Sequence, residues 1–228
     1  MPSFVFSSAT PETLKRVSTL QQGCSVKKTI LVYAMGSSFD NELVKSVTDT
    51  GVLCLLADPT KTRVTDVEAL EPTGIVISDY PNNNTDQYRF DKKMLGCGIP
   101  VLGIGQGWGL WARHFGFKVA ESTEKHYSVE QMTLHGDCHD LFHGCGTPLL
   151  VFQNNGIRIT NDRRLKVLGS THFGGIAAAS WYHLYGMKIH PEVPLVDGTQ
   201  IMRNFILKVC DEKNHRRSLV KNKISAAA

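Results

Sequence analysis

The segment Ile99-Pro-Val-Leu-Gly-Ile-Gly-Gln-Gly107 decides the fold. Ile99 to Ile104 is a short apolar run, which is typical of a strand covered on both faces. The run ends at a glycine-rich turn, and the helical pattern Trp108 to Phe115 follows at once. A buried strand that passes directly into a helix predicts a parallel sheet with helices packed against it.

The same succession of strand and crossover segment precedes this stretch three times. The expected strands are Thr29 to Ala34, Gly51 to Leu56 and Gly74 to Ser78. The expected helices are Asn41 to Thr50, Asp66 to Leu70 and Asp86 to Leu95. Repeated strand-and-helix units predict an α/β domain, with a central, mostly parallel sheet and helices on both faces.

The pattern changes after Gly116, where short strand-like pieces are separated by turn residues. The expected strands are Tyr127 to Leu134, Leu149 to Gln153, Lys166 to Ser170, Gly175 to Ser180 and Leu184 to Ile189. They predict a small antiparallel region, closed by a helix from Gly198 to Val209. Because no linker separates the two halves, we expect one domain over residues 29–210, a partly disordered N-terminal extension over 1–28 and a basic tail over 211–228.

The charge of the chain lies at its two ends. The net charge is +4, but residues 1–28 and 211–228 each carry +3 and the middle carries −2. A body of that charge lacks the concentrated basic face that nucleic acid requires. No apolar run reaches the roughly 18 residues of a membrane-spanning helix. We therefore expect neither nucleic acid nor membrane as a partner, and six scattered cysteines without a CxxC pair favour the cytoplasm.

The turn Gly103-Ile-Gly-Gln-Gly107 has the spacing of a nucleophile elbow. In such an elbow, small residues flank a side chain that projects from a sharp turn between a strand and a helix. Serine or cysteine normally stands at the centre, where this chain has Gly105. Tight glycine turns are common, so the pattern alone also fits a turn without a catalytic role.

A second motif, His190-Pro-Glu-Val193, stands 85 residues beyond the centre of the elbow and directly after an expected strand. A histidine and a carboxylate two residues apart face one side of an extended segment, as the base and the orienting acid of a Cys-His-Glu triad do. The alternative is that His190 and Glu192 only pack the end of the strand.

A third group of residues raises the question of a zinc site. It consists of His135, Asp137, Cys138, His139, His143 and Cys145. Three histidines at steps of four would share one face of a helix. Gly136, Gly144 and Gly146 instead favour turns, so a polar surface loop is the favoured interpretation and no metal site is predicted.

The elbow and the His-Pro-Glu motif together resemble the class I glutamine amidotransferase family, specifically the glutaminase domain of GMP synthetase. The resemblance covers about residues 29–210 and implies a flavodoxin-like, Rossmann-like fold without a bound cofactor. Further segments that resemble the family are Met35-Gly-Ser-Ser38, Pro100 to Gly107, Glu124-Lys-His-Tyr127, Leu141-Phe142 with Gly144, Leu184-Tyr-Gly-Met187, and Gly198 with Ile201-Met-Arg-Asn-Phe205.

The resemblance also implies which residues have changed. The family's nucleophilic cysteine matches Gly105, and the glycines of its oxyanion segment match Asp79 and Tyr80. Of the triad, only His190 and Glu192 remain. The other positions of the degenerate substrate pocket are Gln106, Gly109, Asn154, Asn155 and Ile157. With Ile157 in place of an aspartate, the substrate's ammonium group would have no charged partner.

These changes predict a pseudoenzyme of the glutamine amidotransferase fold that acts through a protein partner in or near purine nucleotide metabolism. The expected partner is a GMP synthetase or a separate ATP-pyrophosphatase subunit, since the segment after Cys210 offers no loop that would hold a pyrophosphate. The alternative is an active enzyme, either a glutaminase subunit or a hydrolase that uses His190 and Glu192 for another reaction.

Overall fold

The computed structural model describes residues 3–6, 8–24, 27–80, 90–121, 127–136, 139–154, 156–172, 175–194 and 197–212. Its strands are β1 (Ser3–Phe6), β2 (Thr29–Tyr33), β3 (Leu53–Ala57), β4 (Gly74–Ile77), β5 (Val101–Ile104), β6 (Val119–Glu121), β7 (Tyr127–Leu134), β8 (Leu149–Asn154), β9 (Ile157–Ile159), β10 (Lys166–Thr171), β11 (Gly175–Trp181) and β12 (Leu184–Met187). Its α-helices are α1 (Pro11–Gln22), α2 (Asp40–Thr48), α3 (Val64–Leu70), α4 (Gln106–His114), α5 (His139–Phe142), α6 (Gly198–Asn204) and α7 (Cys210–Glu212).

Ten of these strands form one sheet, in the order β1-β3-β2-β4-β5-β12-β11-β10-β7-β8. The pairs from β1 to β12 are parallel, and the pairs from β12 to β8 are antiparallel. Strands β6 and β9 pair separately as a two-stranded ribbon. The predicted α/β fold with a mostly parallel central sheet and a small antiparallel region is confirmed.

The antiparallel half curls until its last strand meets the segment that follows β12. Ile189 forms an antiparallel bridge with Gln153 of β8. The backbone N–H of His190 donates to the carbonyl oxygen of Phe152 at 2.7 Å. These contacts hold the His-Pro-Glu motif against β8, and they fix its position beside the parallel half of the sheet.

Helices cover both faces of the sheet because consecutive strand residues point to opposite sides. On one face, Val17 of α1, Val67 of α3 and Trp111 of α4 belong to one apolar cluster. On the other face, Leu43 of α2 and Met202 of α6 belong to a second cluster. The helix that ends the domain continues from α6 as a π-helix over Phe205–Val209, in the region where the sequence predicts an unbroken helix.

Two segments differ from their predicted form. The sequence predicts an extension outside the domain for residues 1–28, whereas β1 pairs with β3 in parallel and buries Phe6 completely. Thr10 caps α1 through its side-chain oxygen, which accepts from the Thr13 N–H and stabilises the start of the helix. Of the predicted helix Asp86 to Leu95, residues 86–89 lie outside the described ranges, and Lys92–Gly96 is a 3-10 helix capped by Asp91. None of the described helices has the length and apolar character to cross a membrane.

Candidate functional site

The candidate site lies where three segments leave the carboxyl edge of the parallel sheet. Asp79 follows β4, Gly105 follows β5, and His190 follows β12. Strand β5 lies between β4 and β12, so the three segments are neighbours although they are far apart in the sequence. The outer edge of the strands' carboxyl ends is where open α/β sheets bind their ligands.

The elbow has the sharp geometry that its glycines predict. Gly105 has φ +54° and ψ −120°, a backbone conformation that residues with side chains rarely adopt. Its neighbours need to be small, because a Cβ on Gly103 would lie 2.7 Å from the backbone of Gly107 and a Cβ on Gly107 would lie 2.4 Å from the Ile77 oxygen. The chain therefore retains an elbow backbone without a side chain at its centre.

The carboxylate of Asp79 occupies the space in front of Gly105. A Cβ placed on Gly105 would lie 2.5 Å from both Cγ and Oδ1 of Asp79. The backbone N–H of Gln106, which is the first residue of α4, donates to Asp79 Oδ1 at 2.7 Å. A carboxylate is favoured at this place because the N-terminus of a helix carries partial positive charge. Asp79 therefore takes both the space of an elbow side chain and the donor beside it.

His190 lies between two carboxylates. Its Nδ1 and Glu192 Oε1 are 2.7 Å apart, and its Nε2 lies 3.9 Å from Asp79 Oδ2. All three residues are buried, and the His190 side chain has no exposed surface. Burial alone would lower the pKa of His190, but the charge and the hydrogen bond of Glu192, together with the charge of Asp79, raise it above its ordinary value. The arrangement favours a charged imidazolium.

An aromatic cluster of Phe39, Tyr127 and Phe152 covers the imidazole of His190. The ring centroids lie 5.2, 5.8 and 6.1 Å from that of His190, respectively. Tyr127 and Phe152 stack at 5.3 Å, and Phe39 meets Tyr127 edge-on. Burial, followed by the charge of Asp79, raises the pKa of Tyr127. The sequence did not identify this cluster, because only the pairing of β7 with β8 brings two of its rings together.

The positions beside the elbow are filled by the protein itself. The buried Gln106 side chain accepts a hydrogen bond from Arg113 Nη1 at 3.3 Å. The same guanidinium bonds Glu121 at 3.1 Å and lies over Gly109, where a Cβ would come within 2.7 Å of Nη1. Gly109 thus leaves room for Arg113 along the surface of α4.

The remaining predicted pocket positions do not join this group of charges. Tyr80 and Ile157 are buried in the apolar cluster that also contains Trp111. Asn154 lies on β8, opposite Tyr127 of β7. Asn155 lies outside the described residues.

The His/Cys-rich segment does not gather into a metal site where it is described. His135 Nε2 and Ser170 Oγ are 2.8 Å apart, within hydrogen-bond distance. Residues 137 and 138 lie outside the described ranges. Among the described residues, no group of three or more His, Cys, Asp or Glu side chains could hold a metal ion. Burial, with the charge of Asp197, raises the pKa of Cys145 to about 11, which disfavours the thiolate that a metal would bind.

A family model and several known proteins match most of this chain. Residues 31–209 match the family model described as glutamine amidotransferase class-I. The chain is 32% identical over 188 residues to the GMP synthase [glutamine-hydrolyzing] of Listeria monocytogenes, covering 79% of this chain and 36% of that protein. It is 31% identical over 192 residues to the protein of the same name from Lactococcus lactis, covering 82% and 37%. The chain thus spans little more than a third of these relatives.

Solved structures with the same fold include proteins that are separate chains. One of them, from Thermoplasma acidophilum and named as a putative subunit of GMP synthase, superimposes with a TM-score of 0.67 at 20% identity, over 84% of this chain and 98% of that one. A chain of PurLQS from Thermotoga maritima superimposes with a TM-score of 0.60 at 13% identity, over 78% and 96%. At these identities the likeness establishes the fold alone.

Proposed function

The chain belongs to the class I glutamine amidotransferase family, and we propose that it is a catalytically degenerate member that acts through a protein partner. Its similarity to GMP synthases supports a relation to their glutaminase domain. The proposal assigns it a role in or near purine nucleotide metabolism, in the cytoplasm, without hydrolysis of glutamine.

The observation that carries the proposal is the carboxylate of Asp79 in front of Gly105. Hydrolysis through a thioester needs a nucleophile at the elbow, and Gly105 has no side chain. It also needs backbone donors for the developing oxyanion, whereas the Gln106 N–H already binds Asp79 at 2.7 Å. Loss of an essential nucleophile alone removes on the order of a millionfold of rate. The two changes act on the same step and support loss of the reaction.

The geometry gives less support to another hydrolytic reaction at His190. A general base needs its free nitrogen within hydrogen-bond reach of a substrate. His190 Nε2 is buried and faces Asp79 Oδ2 at 3.9 Å, beneath the aromatic cluster. A substrate would have to displace both the carboxylate and the rings to reach it.

We assign the partner to the synthetase class because of the lengths of the relatives. The GMP synthases named above contain about two thirds of their length beyond the part that matches this chain. The Thermoplasma structure, whose name describes it as a subunit of GMP synthase, is matched over 98% of its length. The proposed partner is accordingly an ATP-pyrophosphatase subunit or a complete GMP synthetase.

The experiment is to mix the purified chain with GMP synthetase from its own source and with that enzyme's isolated ATP-pyrophosphatase part, and to measure complex formation by sedimentation velocity. We expect a stoichiometric complex with at least one of the two. The control is wild-type chain mixed with an unrelated ATP-hydrolysing enzyme. Absence of a complex with both components at micromolar concentration would contradict the partner assignment.

A further inference from the structure

The N-terminus of α4 favours a negatively charged group in front of it. The helix has nine residues, and its N-cap residue, Gly105, has no side chain to cap it. The first backbone donor of the helix, the Gln106 N–H, donates instead to the carboxylate of Asp79, in the segment that follows β4. Backbone N–H groups and the helix dipole favour negative charge at such a place.

A second, independent feature of the same place is the buried nitrogen of His190. Its Nε2 has no hydrogen-bond partner among the described residues, and the nearest charge is Asp79 Oδ2 at 3.9 Å. The other side of the imidazole is held by Glu192 at 2.7 Å. Because Glu192 and Asp79 raise the pKa of His190 against the effect of burial, the protonated ring is favoured, and it carries an N–H at Nε2. Such a buried donor without a partner is costly unless a negative charge lies close to it. The buried nitrogen therefore also favours a negatively charged group in front of the elbow.

We infer that the elbow of this chain is an anion site whose occupant is the chain's own Asp79 carboxylate. The occupant accepts the first N–H of α4 with one oxygen, and its other oxygen lies 3.9 Å from His190 Nε2. It stands where an elbow side chain would stand, so a side chain at position 105 and the Asp79 carboxylate exclude one another. The residues after β4, β5 and β12 are thereby held together without any external ligand.

The charged groups on the neighbouring elements are compatible with a single carboxylate in front of the elbow. Asp40, from α2, is close enough to interact with Asp79, and burial followed by that interaction raises the pKa of Asp40. Burial, followed by the charges of Asp79 and Glu192, raises the pKa of Tyr127 on β7. Because acidic groups lie near the site, the N-terminus of α4 and the protonated form of His190 are the groups that offset the charge of the occupant. This inference concerns the site alone and holds whatever partner the chain binds.

The inference is tested by removing the occupant and supplying it from solution. Asp79→Ala keeps the backbone and Cβ and leaves a space that fits formate, the smallest carboxylate. We expect the melting temperature to fall by about 10 °C, because one partner of a buried charged group is lost. Sodium formate should then raise the melting temperature in a saturable way, compared with sodium chloride at equal ionic strength.

The matched control is Asp58→Ala, which also removes a carboxylate that accepts a backbone hydrogen bond, but from an exposed turn. Wild type and Asp58→Ala should respond equally to formate and chloride. Equal responses of Asp79→Ala to the two salts, or an unchanged melting temperature, would overturn the inference.

A second measurement does not depend on the stability of the alanine variant. Asp79→Asn keeps the shape of the side chain and removes its charge. In nitrogen-detected NMR titrations we expect the midpoint of His190 to fall in Asp79→Asn relative to wild type. An identical midpoint in the two proteins would show that Asp79 is not the anion that His190 faces.

Discussion

At Gly105 the backbone alone preserves the form of an elbow, with φ +54° and no side chain. A side chain there would meet two separate obstacles, the left-handed backbone conformation and the Asp79 carboxylate 2.5 Å from its Cβ. Gly116 offers a comparison without overlap, since it has φ +72° but no atom within 4 Å of a built Cβ. The cost of a side chain at Gly105 therefore includes an overlap with Asp79 that is absent at Gly116.

We predict that Gly105→Ala destabilises the protein more than Gly116→Ala. Both variants incur strain of about 1–3 kcal/mol from a positive φ, and the overlap with Asp79 adds about 1–3 kcal/mol at position 105. Urea unfolding measures both values. In an Asp79→Ala background the excess at position 105 should shrink, and an undiminished excess there would contradict the role given to the carboxylate.

The pKa of His190 predicts how stability depends on pH. Its folded-state pKa is raised above its unfolded value by Glu192 and Asp79, against the opposing effect of burial. The charged form is thus favoured by folding, so its contribution is complete below about pH 6.5 and is lost as pH rises through the folded-state pKa. We predict that the stability advantage of wild type over His190→Gln shrinks as pH rises from 6 to 9.

The comparison with His190→Gln cancels other groups that titrate nearby. Burial lowers the pKa of Lys188 to about 8, so this lysine changes its charge within the same window in both proteins. Urea midpoints and m-values at each pH give the difference in unfolding free energy. A difference that stays constant or grows with pH would contradict a charged His190.

The carboxylate at position 79 was predictable from the sequence, but its contacts were not. Matching Asp79 to an oxyanion glycine placed an acidic group near the elbow. One Asp79 oxygen accepts from the Gln106 N–H, and the other lies near His190 Nε2. Both contacts depend on the position of β5 between β4 and β12 in the sheet. No pattern within the segments around residues 79, 105 and 190 encodes this order.

At the scale of elements, the side chain of Arg113 determines the packing along the surface of α4. Arg113 extends over Gly109 to the buried Gln106 and to Glu121 on β6. The glycine in the middle of the helix reduces helix stability, while it leaves space for this guanidinium. Arg113 therefore links Gln106, at the start of α4, to Glu121 of the β6–β9 ribbon.

We predict that the effect of Gly109→Ala depends on Arg113. In wild type the new Cβ displaces the guanidinium, which offsets the gain in helix propensity and leaves stability nearly unchanged. In an Arg113→Ala background the gain should appear in full, at about 1 kcal/mol. A double-mutant cycle in urea measures the coupling, and equal effects in both backgrounds would show that Arg113 does not occupy this space.

Most strands of the domain were predictable because apolar runs bounded by glycine and proline are a strong local signal. The strand Tyr127–Leu134 was predicted with its observed bounds. Strand β1 was missed, since it has only four residues and gains its stability from pairing with β3. The sequence predicts a helix that ends at Leu95. Where this segment is described, it is a 3-10 helix whose first turn is capped by the Asp91 side chain. The spacing of apolar residues does not detect such a cap.

At the scale of the whole molecule, the chain is one domain of the class I glutamine amidotransferase family with the Asp79 carboxylate in front of its elbow. The parallel half carries the elbow, and the curled antiparallel half brings His190 to it through the contact of Ile189 with Gln153. Internal occupation of the site leaves the fold intact, as the buried clusters on both faces of the sheet show. This form is compatible with the proposed function, in which the chain binds a partner and does not hydrolyse glutamine.

The most direct test of this account is the release of ammonia from glutamine by the purified chain, alone and with GMP synthetase. We predict that the chain alone releases no more than a buffer blank. We also predict that in the mixture the ammonia signal is that of the synthetase alone, whether the chain is wild type or His190→Ala. Ammonia release by the chain at about one per second, within the ordinary range of enzymes, and its loss in His190→Ala, would contradict the account.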